Sequence, residues 1–341
     1  MPEPYPSPKR RGCLLRFGAA CVTLSAVVGY VVVQYVAGGT GDPGCRVVSG
    51  EAGVTGETES TTYEFTPEQA VNAATIAAVG TNRDLPERAV AIALATAIQE
   101  SALRNLTHGD RDSLGLFQQR PSQGWGTEKQ VTDPAYAADI FYEHLAKVPD
   151  YLDLPLTVAA QRVQRSGYPE AYAKHEKDAE LLAAALTGTS AATLTCEGRA
   201  EATTATGPAA VRAALVRDFG RDALKDAESG SGTRETSATD EPITEPTAET
   251  EGRTVILPVS EDTTAAGRTV PERGWQLAHW AVANASALRI QSVAYAGRQW
   301  TAGNTDSQWR STGSSNAEAA GAAGVSAAGG GTDSVRIVTA Q

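Results

Sequence analysis

A mostly helical domain and a small α+β C-terminal domain, both placed after a single N-terminal transmembrane helix, form the fold class that three observations predict. Apolar residues recur at helical spacing between recognisable caps from Thr66 to Leu186, with no strand-like run among them. Beyond an acidic low-complexity stretch the pattern changes to short alternating runs around one helix. Ahead of both, Phe17 to Ala37 supplies 21 residues without a charge.

Residues 1–16 form a basic N-terminus carrying Lys9, Arg10 and Arg11, and 17–37 is long enough to span a bilayer as an anchor. The basic flank predicts an inside N-terminus, which places the rest of the chain on the extracytoplasmic side of the cell membrane as a single-pass protein. A cleaved signal peptide followed by secretion is the alternative, although the apolar run is long for such a peptide and no A-x-A pattern closes it. Residues 38–63, rich in Gly, Thr, Ser and Glu, read as a tether.

The chain has 341 residues, 41% hydrophobic and 20% charged, which is room for two domains with real cores. A net charge of −11 with no basic cluster outside the N-terminus argues against nucleic acid as a partner. There is no C-x-x-C, no H-E-x-x-H and no His-rich tract, and only four histidines, so neither a metal site nor another cofactor is expected. Of the four cysteines, Cys13 and Cys21 lie at or within the anchor, leaving Cys45 and Cys196 to bracket the helical domain. A disulfide between them suits an exported domain, and closing so long a loop contributes of order 4–5 kcal/mol in the chain-entropy model. Two free thiols are the alternative.

The helical domain spans 64–200. Thr66-Pro67-Glu68-Gln69 caps a first helix that Gly80 should stop, and Pro86-Glu87 opens a second running to about Leu103. On the second, Ala89, Ile92, Ala93, Thr96 and Ala97 make an apolar stripe that reaches Glu100. Further helices are expected from Asp133-Pro134 to about Lys147, from Thr157 to about Arg165, and from Pro169 to about Leu186. A short helical segment follows within 201–227.

Glu100 is the first candidate for chemistry. An apolar wall disfavours its ionised form and a helix C-terminus presents partial negative charge, so both effects push its pKa upward. A glutamic acid that keeps its proton is what protonation of a leaving glycosidic oxygen requires. The competing reading is a helix-terminal residue satisfied by backbone or by Arg104.

Three motifs bear on the choice: Glu100-Ser101, Gly109-Asp110-Arg111 and Gly115-Leu116-Phe117-Gln118. Together they resemble the signature of the lysozyme-like superfamily, shared by lytic transglycosylases and goose-type lysozymes, with Phe117 where the family has methionine. The resemblance implies a lysozyme-like fold, Glu100 as general acid, Ser101 positioning the acid or the substrate, and Phe117 with Gln118 lining the sugar sites. The G-D-R element is closer to goose-type lysozymes, which implies that Asp110 orients a water for hydrolysis. Where the family's second aspartate would follow, this chain has Gln119 and Arg120. The A-Y-N element of transglycosylases is absent, with Ala171-Tyr172-Ala173 as its nearest stand-in. Peptidoglycan glycan strands are the implied substrate, and Arg111 is expected to help bind them. Trp125 and Tyr172, and less so Tyr168, are candidates to stack on the apolar face of a sugar ring.

Residues 228–252 carry seven acidic residues against Arg234 alone and are expected to be a disordered linker, leaving the two folded parts free to move. The domain at 253–341 should contain a strand at Thr254 to Leu257, a helix from Glu272 to about Leu288, alternating strands from Arg289 to Trp300, a Gly/Ala/Ser loop at 311–332 and a closing strand from Ser334 to Thr339. Gly274-Trp275-Gln276-Leu277-Ala278-His279-Trp280 and Gly297-Arg298-Gln299-Trp300 resemble the ARB-07466-like C-terminal domain of secreted proteins. That implies an accessory role with a cell-wall or protein partner. His279, Trp280 and Trp300 are read as packing residues.

The sequence therefore predicts a membrane-anchored, peptidoglycan-cleaving glycosidase. The alternative is a wall-binding or scaffold protein that grips glycan without cutting it.

Overall fold

The structure is a computed structural model that describes residues 44–49, 61–198, 206–220, 250–259, 267–304, 308–312 and 334–340. The predicted membrane segment at 17–37, most of the tether and of the acidic linker, and the loop beyond Thr312 lie outside the described residues. No described helix is long and apolar enough to cross a membrane.

The tether does not run uninterrupted to residue 63. Its residues form β1 (Cys45–Val48) and the start of β2 (Thr62–Phe65). Cys45 and Val47 face the core while Arg46 and Val48 face outward, a two-residue alternation too short to stand out in the sequence. β1 lies between β2 and β3 (Leu194–Cys196) in an antiparallel sheet, opposite which no strand had been expected. Cys45 pairs directly with Cys196 across that sheet, and the two form the predicted disulfide.

Helix α1 (Pro67–Asn82) begins with a reciprocal capping box: Gln69 N–H donates to Thr66 Oγ1 at 3.3 Å, and Thr66 N–H donates to Gln69 Oε1 at 2.7 Å. It continues through Gly80, where a stop was expected. The reason is tertiary: the Tyr142 ring fills the space beside Gly80, so that an added Cβ would lie 2.6 Å from its hydroxyl, which itself donates to Ile76 O at 3.0 Å. Helix α2 (Glu87–Ser101) is buried at every position from Ala89 to Ile98, not along a stripe, because α1 and the helices that follow enclose it.

Next come α3 (Glu128–Val131), α4 (Pro134–Ala146), capped by the Asp133 side chain, and α5 (Leu156–Gln164). The helix expected from Pro169 starts only at Glu176, as α6 (Glu176–Thr187), after a turn of 3₁₀ helix at Ala173–His175. The intervening chain is drawn instead toward the end of α2. Gly188, at φ 88°, closes α6. Helix α7 (Gly207–Phe219) buries Val211, Leu215 and Phe219, as its spacing predicts.

The C-terminal part is a six-stranded antiparallel sheet crossed by one main helix. In chain order it contains β4 (Thr250–Glu251), β5 (Thr254–Pro258), α8 (Val270–Ala283), α9 (Ala285–Leu288), β6 (Ile290–Tyr295), β7 (Arg298–Thr301), β8 (Arg310–Ser311) and β9 (Ser334–Thr339). The strand order is β4-β5-β9-β6-β7-β8. The single helix expected to Leu288 is broken at Asn284.

Every residue of α8 from Gly274 to Ala283 is buried, more than one sheet face can account for. Its other side packs on α6, α1 and β3 of the helical part. Specific bonds fix this contact. Gln276 Nε2 donates to Thr81 Oγ1 at 2.6 Å, and Trp280 Nε1 donates to the buried Asp218 on α7 at 2.8 Å. Trp300 and Trp309 donate their indole N–H groups to Cys196 O and Leu194 O, both at 2.9 Å. Those carbonyls lie on the edge of β3 that no strand covers, so the indoles complete the hydrogen bonding there. The two folded parts are thus held together by buried polar contacts, where the linker composition had led to an expectation of independent movement.

Candidate active site

Glu100 sits one residue before the end of α2, and the way that helix ends sets its position. Ala102 and Leu103 follow in left-handed conformations at φ 51° and 57°, which non-glycine residues adopt at a cost of order 1 kcal/mol each. Two side chains from α1 hold them there: Gln69 Nε2 donates to Ala102 O and Asn72 Nδ2 to Leu103 O, each at 2.8 Å. The buried Leu103 side chain adds a hydrophobic anchor. The turn that follows the carboxylate is therefore over-determined.

Glu100 itself is only partly buried. Tyr172 Oη donates to its Oε1 at 2.7 Å. Burial pushes the Glu100 pKa above the ordinary carboxylate value, and Tyr172, then the nearby Gln164 side chain, offset part of that rise because they favour the charged form. Tyr172 is fully buried and its own pKa is raised, chiefly by burial and then by the neighbouring Glu100 charge, so it remains a neutral donor. Arg104, the alternative partner for Glu100, turns instead to Ser101 O at 3.4 Å.

The other residues singled out by the sequence fall into distinct places. Ser101 is buried and donates to Leu116 O at 2.8 Å and Ala97 O at 3.0 Å, which fastens the G-L-F-Q element to the end of α2 and leaves the hydroxyl no role on a substrate. Phe117 is fully buried and stacked on Phe141, with ring centroids 4.7 Å apart, so its side chain is core and does not line a sugar site. Its carbonyl does face the acid's surroundings, accepting from Gln164 Nε2 at 2.7 Å. Tyr172 likewise is no stacking platform, since its ring is enclosed and its hydroxyl holds Glu100. Trp125 is half-buried and stacks on His144, with centroids 4.4 Å apart.

The polar loop is fastened from below. The Gln118 side chain packs where a Cβ on Gly109 would have to go, 1.9 Å from its Oε1, which explains the glycine of the G-D-R element. Gln118 Nε2 also reaches Gly115 O at 3.3 Å. Asp112 accepts from Arg120 Nε at 2.8 Å and from Ser122 N–H at 2.9 Å, and these bonds, Ser122 foremost, hold its carboxyl well below the usual range. Asp110 is different: its side chain is 93% exposed, with Arg111 at 4.0 Å. Beside this loop lies an open depression of about 600 Å³ lined by Thr107, His108, Arg111, Asp112, Glu128 and Lys129, among others. Neither Glu100 nor Asp110 lines it. Among the described residues no group of His, Cys, Asp and Glu is arranged to hold a metal ion.

Gln164 is the functional candidate that sequence reading missed. Nothing in a glutamine near a helix end marks it, and its relevance arises from the meeting of α5 with α2. The nearest sequence signal is the pair of polar residues, Gln161 and Gln164, on one face of a short amphipathic helix.

Comparison with known proteins bears on one stretch of the C-terminal part. Residues 245–321 match the family described as VldE, C-terminal domain, which fits the C-terminal domain resemblance; the match begins inside the acidic stretch read as linker. No curated protein matches the chain.

Proposed function

We propose that this chain is an extracytoplasmic peptidoglycan-cleaving glycosidase, held at the membrane by residues 17–37, that acts as a lytic transglycosylase with Glu100 as its acid and then its base. The observation that carries this reading is the setting of Glu100: a carboxyl group biased by burial to keep its proton, placed on a strained and well-supported helix end, and oriented by Tyr172. Glu100 gives its proton to the glycosidic oxygen as the C1–O bond breaks and oxocarbenium character builds at C1. Glu100, now a carboxylate that accepts from Tyr172, takes the proton of the muramyl C6 hydroxyl as that oxygen bonds to C1. The products are an anhydro-muramyl end and a free N-acetylglucosamine end, the acid is reprotonated, and no water is consumed.

The lytic outcome is favoured over hydrolysis because neither loop aspartate is held for the work. Asp110 stands in solvent and Asp112 is engaged by Arg120 and Ser122. An inverting hydrolase fixes its base opposite its acid, commonly about 6.5–9.5 Å away.

The test is to incubate the full-length chain with purified sacculi and analyse the soluble muropeptides. Anhydro ends support the proposal, reducing ends would replace it with hydrolysis, and sedimentation without release would leave a binder. Glu100→Gln should lower release by at least about 10²–10⁴-fold without loss of sedimentation.

A further inference from the structure

Tyr168 is 79% exposed, whereas the other aromatic residues of the helical part are enclosed or partly so. A single exposed ring needs no explanation on its own. What distinguishes this one is its support.

The loop that carries it leaves α5 at Gln164, whose side chain donates to Phe117 O, and arrives at Tyr172, whose hydroxyl donates to Glu100. Tyr168 is four residues from each, so it stands within roughly 14 Å of chain from the residue that contacts the acid. The loop is also tied down along its length. Gln161 Nε2 donates to Ser166 O at 2.7 Å, and Thr157 Oγ1 donates to Pro169 O at 2.7 Å. Ala171 N–H closes a turn on Tyr168 O at 3.1 Å, and Tyr168 N–H donates to Ser166 Oγ at 3.1 Å. The loop is thereby held in one conformation between Gln164 and Tyr172, whose hydroxyl donates to Glu100.

We propose that Tyr168, held outward by the tied loop that leads to Tyr172, is a stacking platform for a pyranose ring of the glycan strand on which Glu100 acts. A sugar ring offers an apolar C–H face, and a tyrosine held rigidly outward meets it with little ordering cost. This role rests on the glycan-cleaving reading and extends it, since it names a binding residue that the motif resemblance does not include.

The experiment compares the full-length chain with Tyr168→Ala and Tyr168→Trp in co-sedimentation with sacculi and in muropeptide release. Stacking of this kind contributes about 0.5–1.5 kcal/mol, which is roughly a two- to twelvefold weaker association for Tyr168→Ala. KM should rise by that factor with kcat nearly kept, Tyr168→Trp should restore binding, and the melting temperature should not move because the ring packs on little. Equal binding by the wild type and Tyr168→Ala, or a fall explained by a lower melting temperature, would overturn the proposal. If the wild type binds sacculi but releases nothing, the enzymatic reading fails while the binding comparison still decides the role of Tyr168. If the wild type does not bind sacculi at all, both fail.

Discussion

Glu100 and His279 are both ionisable groups whose charged form is penalised by burial, and the contrast between them lies in what each one faces. His279 is completely enclosed, with its ring near Trp275 and Trp309 and its Nδ1–H bonded to Ala185 O at 2.7 Å. Its Nε2 has no partner, and burial lowers its pKa to about 4. It is a neutral ring that fastens α8 to α6. Glu100 has a side still open to solvent and the Tyr172 hydroxyl donating to its carboxyl group. Burial disfavours the charged form of both groups, but only Glu100 is placed where a proton could pass to a substrate.

The interface around His279 is where stability should be lost first. Reducing the Cys45–Cys196 bond, which closes a separation of 151 residues beneath the Trp300 and Trp309 contacts, should cost about 5 kcal/mol in the chain-entropy model. Denaturant unfolding with and without reductant measures it. Next in size is the effect of pH on His279. Its folded pKa lies below the ordinary value of 6.5, so its contribution is fully present above that pH and is lost as pH falls toward 4. Roughly 3 kcal/mol is at stake. The stability advantage of the wild type over His279→Leu should shrink across that window, and a difference independent of pH would remove His279 from this role.

Smaller effects follow from single hydrogen bonds. Trp300→Phe or Trp309→Phe leaves a buried carbonyl on β3 unsatisfied and should cost about 1–3 kcal/mol in thermal unfolding, with activity retained in whatever fraction stays folded. At the acid, Tyr172→Phe removes a donor that favours the carboxylate. The alkaline limb of the rate profile, set by loss of the Glu100 proton, should move to higher pH and the rate should fall roughly tenfold, because the base form needed for ring closure has lost a partner. Smallest is the stability change in Glu100→Gln. A raised carboxyl pKa contributes stability below the ordinary value of 4.5 that is lost as pH rises through the folded pKa, so this variant should gain on the wild type as pH increases.

The partly buried setting of Glu100 was legible in the sequence because an apolar helix leading to one glutamate is a local pattern, and the disulfide because only Cys45 and Cys196 lie beyond the apolar segment. Most helices were legible for the same reason; the exceptions are the passage through Gly80, where Tyr142, sixty-two positions later, packs, the late start at Glu176 and the break at Asn284. What stayed hidden depends on contacts between distant elements. The strands Cys45–Val48 and Leu194–Cys196 are too short to show a period, and Phe117 looks like a lining residue until Phe141 is seen to stack on it. Tyr172 read as a sugar platform because its hydroxyl's partner lies seventy-two residues earlier in the chain. The packing of the C-terminal part was missed because an acidic linker describes its own composition and not what its two ends hold.

The most direct test of the account is the titration of Glu100 itself, followed by the carbon-13 shift of its carboxyl group and assigned by the disappearance of that signal in Glu100→Gln. The account predicts a midpoint clearly above the 4.5 of an ordinary glutamate, moving higher still in Tyr172→Phe. A midpoint at or below 4.5, unchanged by Tyr172→Phe, would mean that the proton is not held, and the assignment of Glu100 as the acid would be withdrawn.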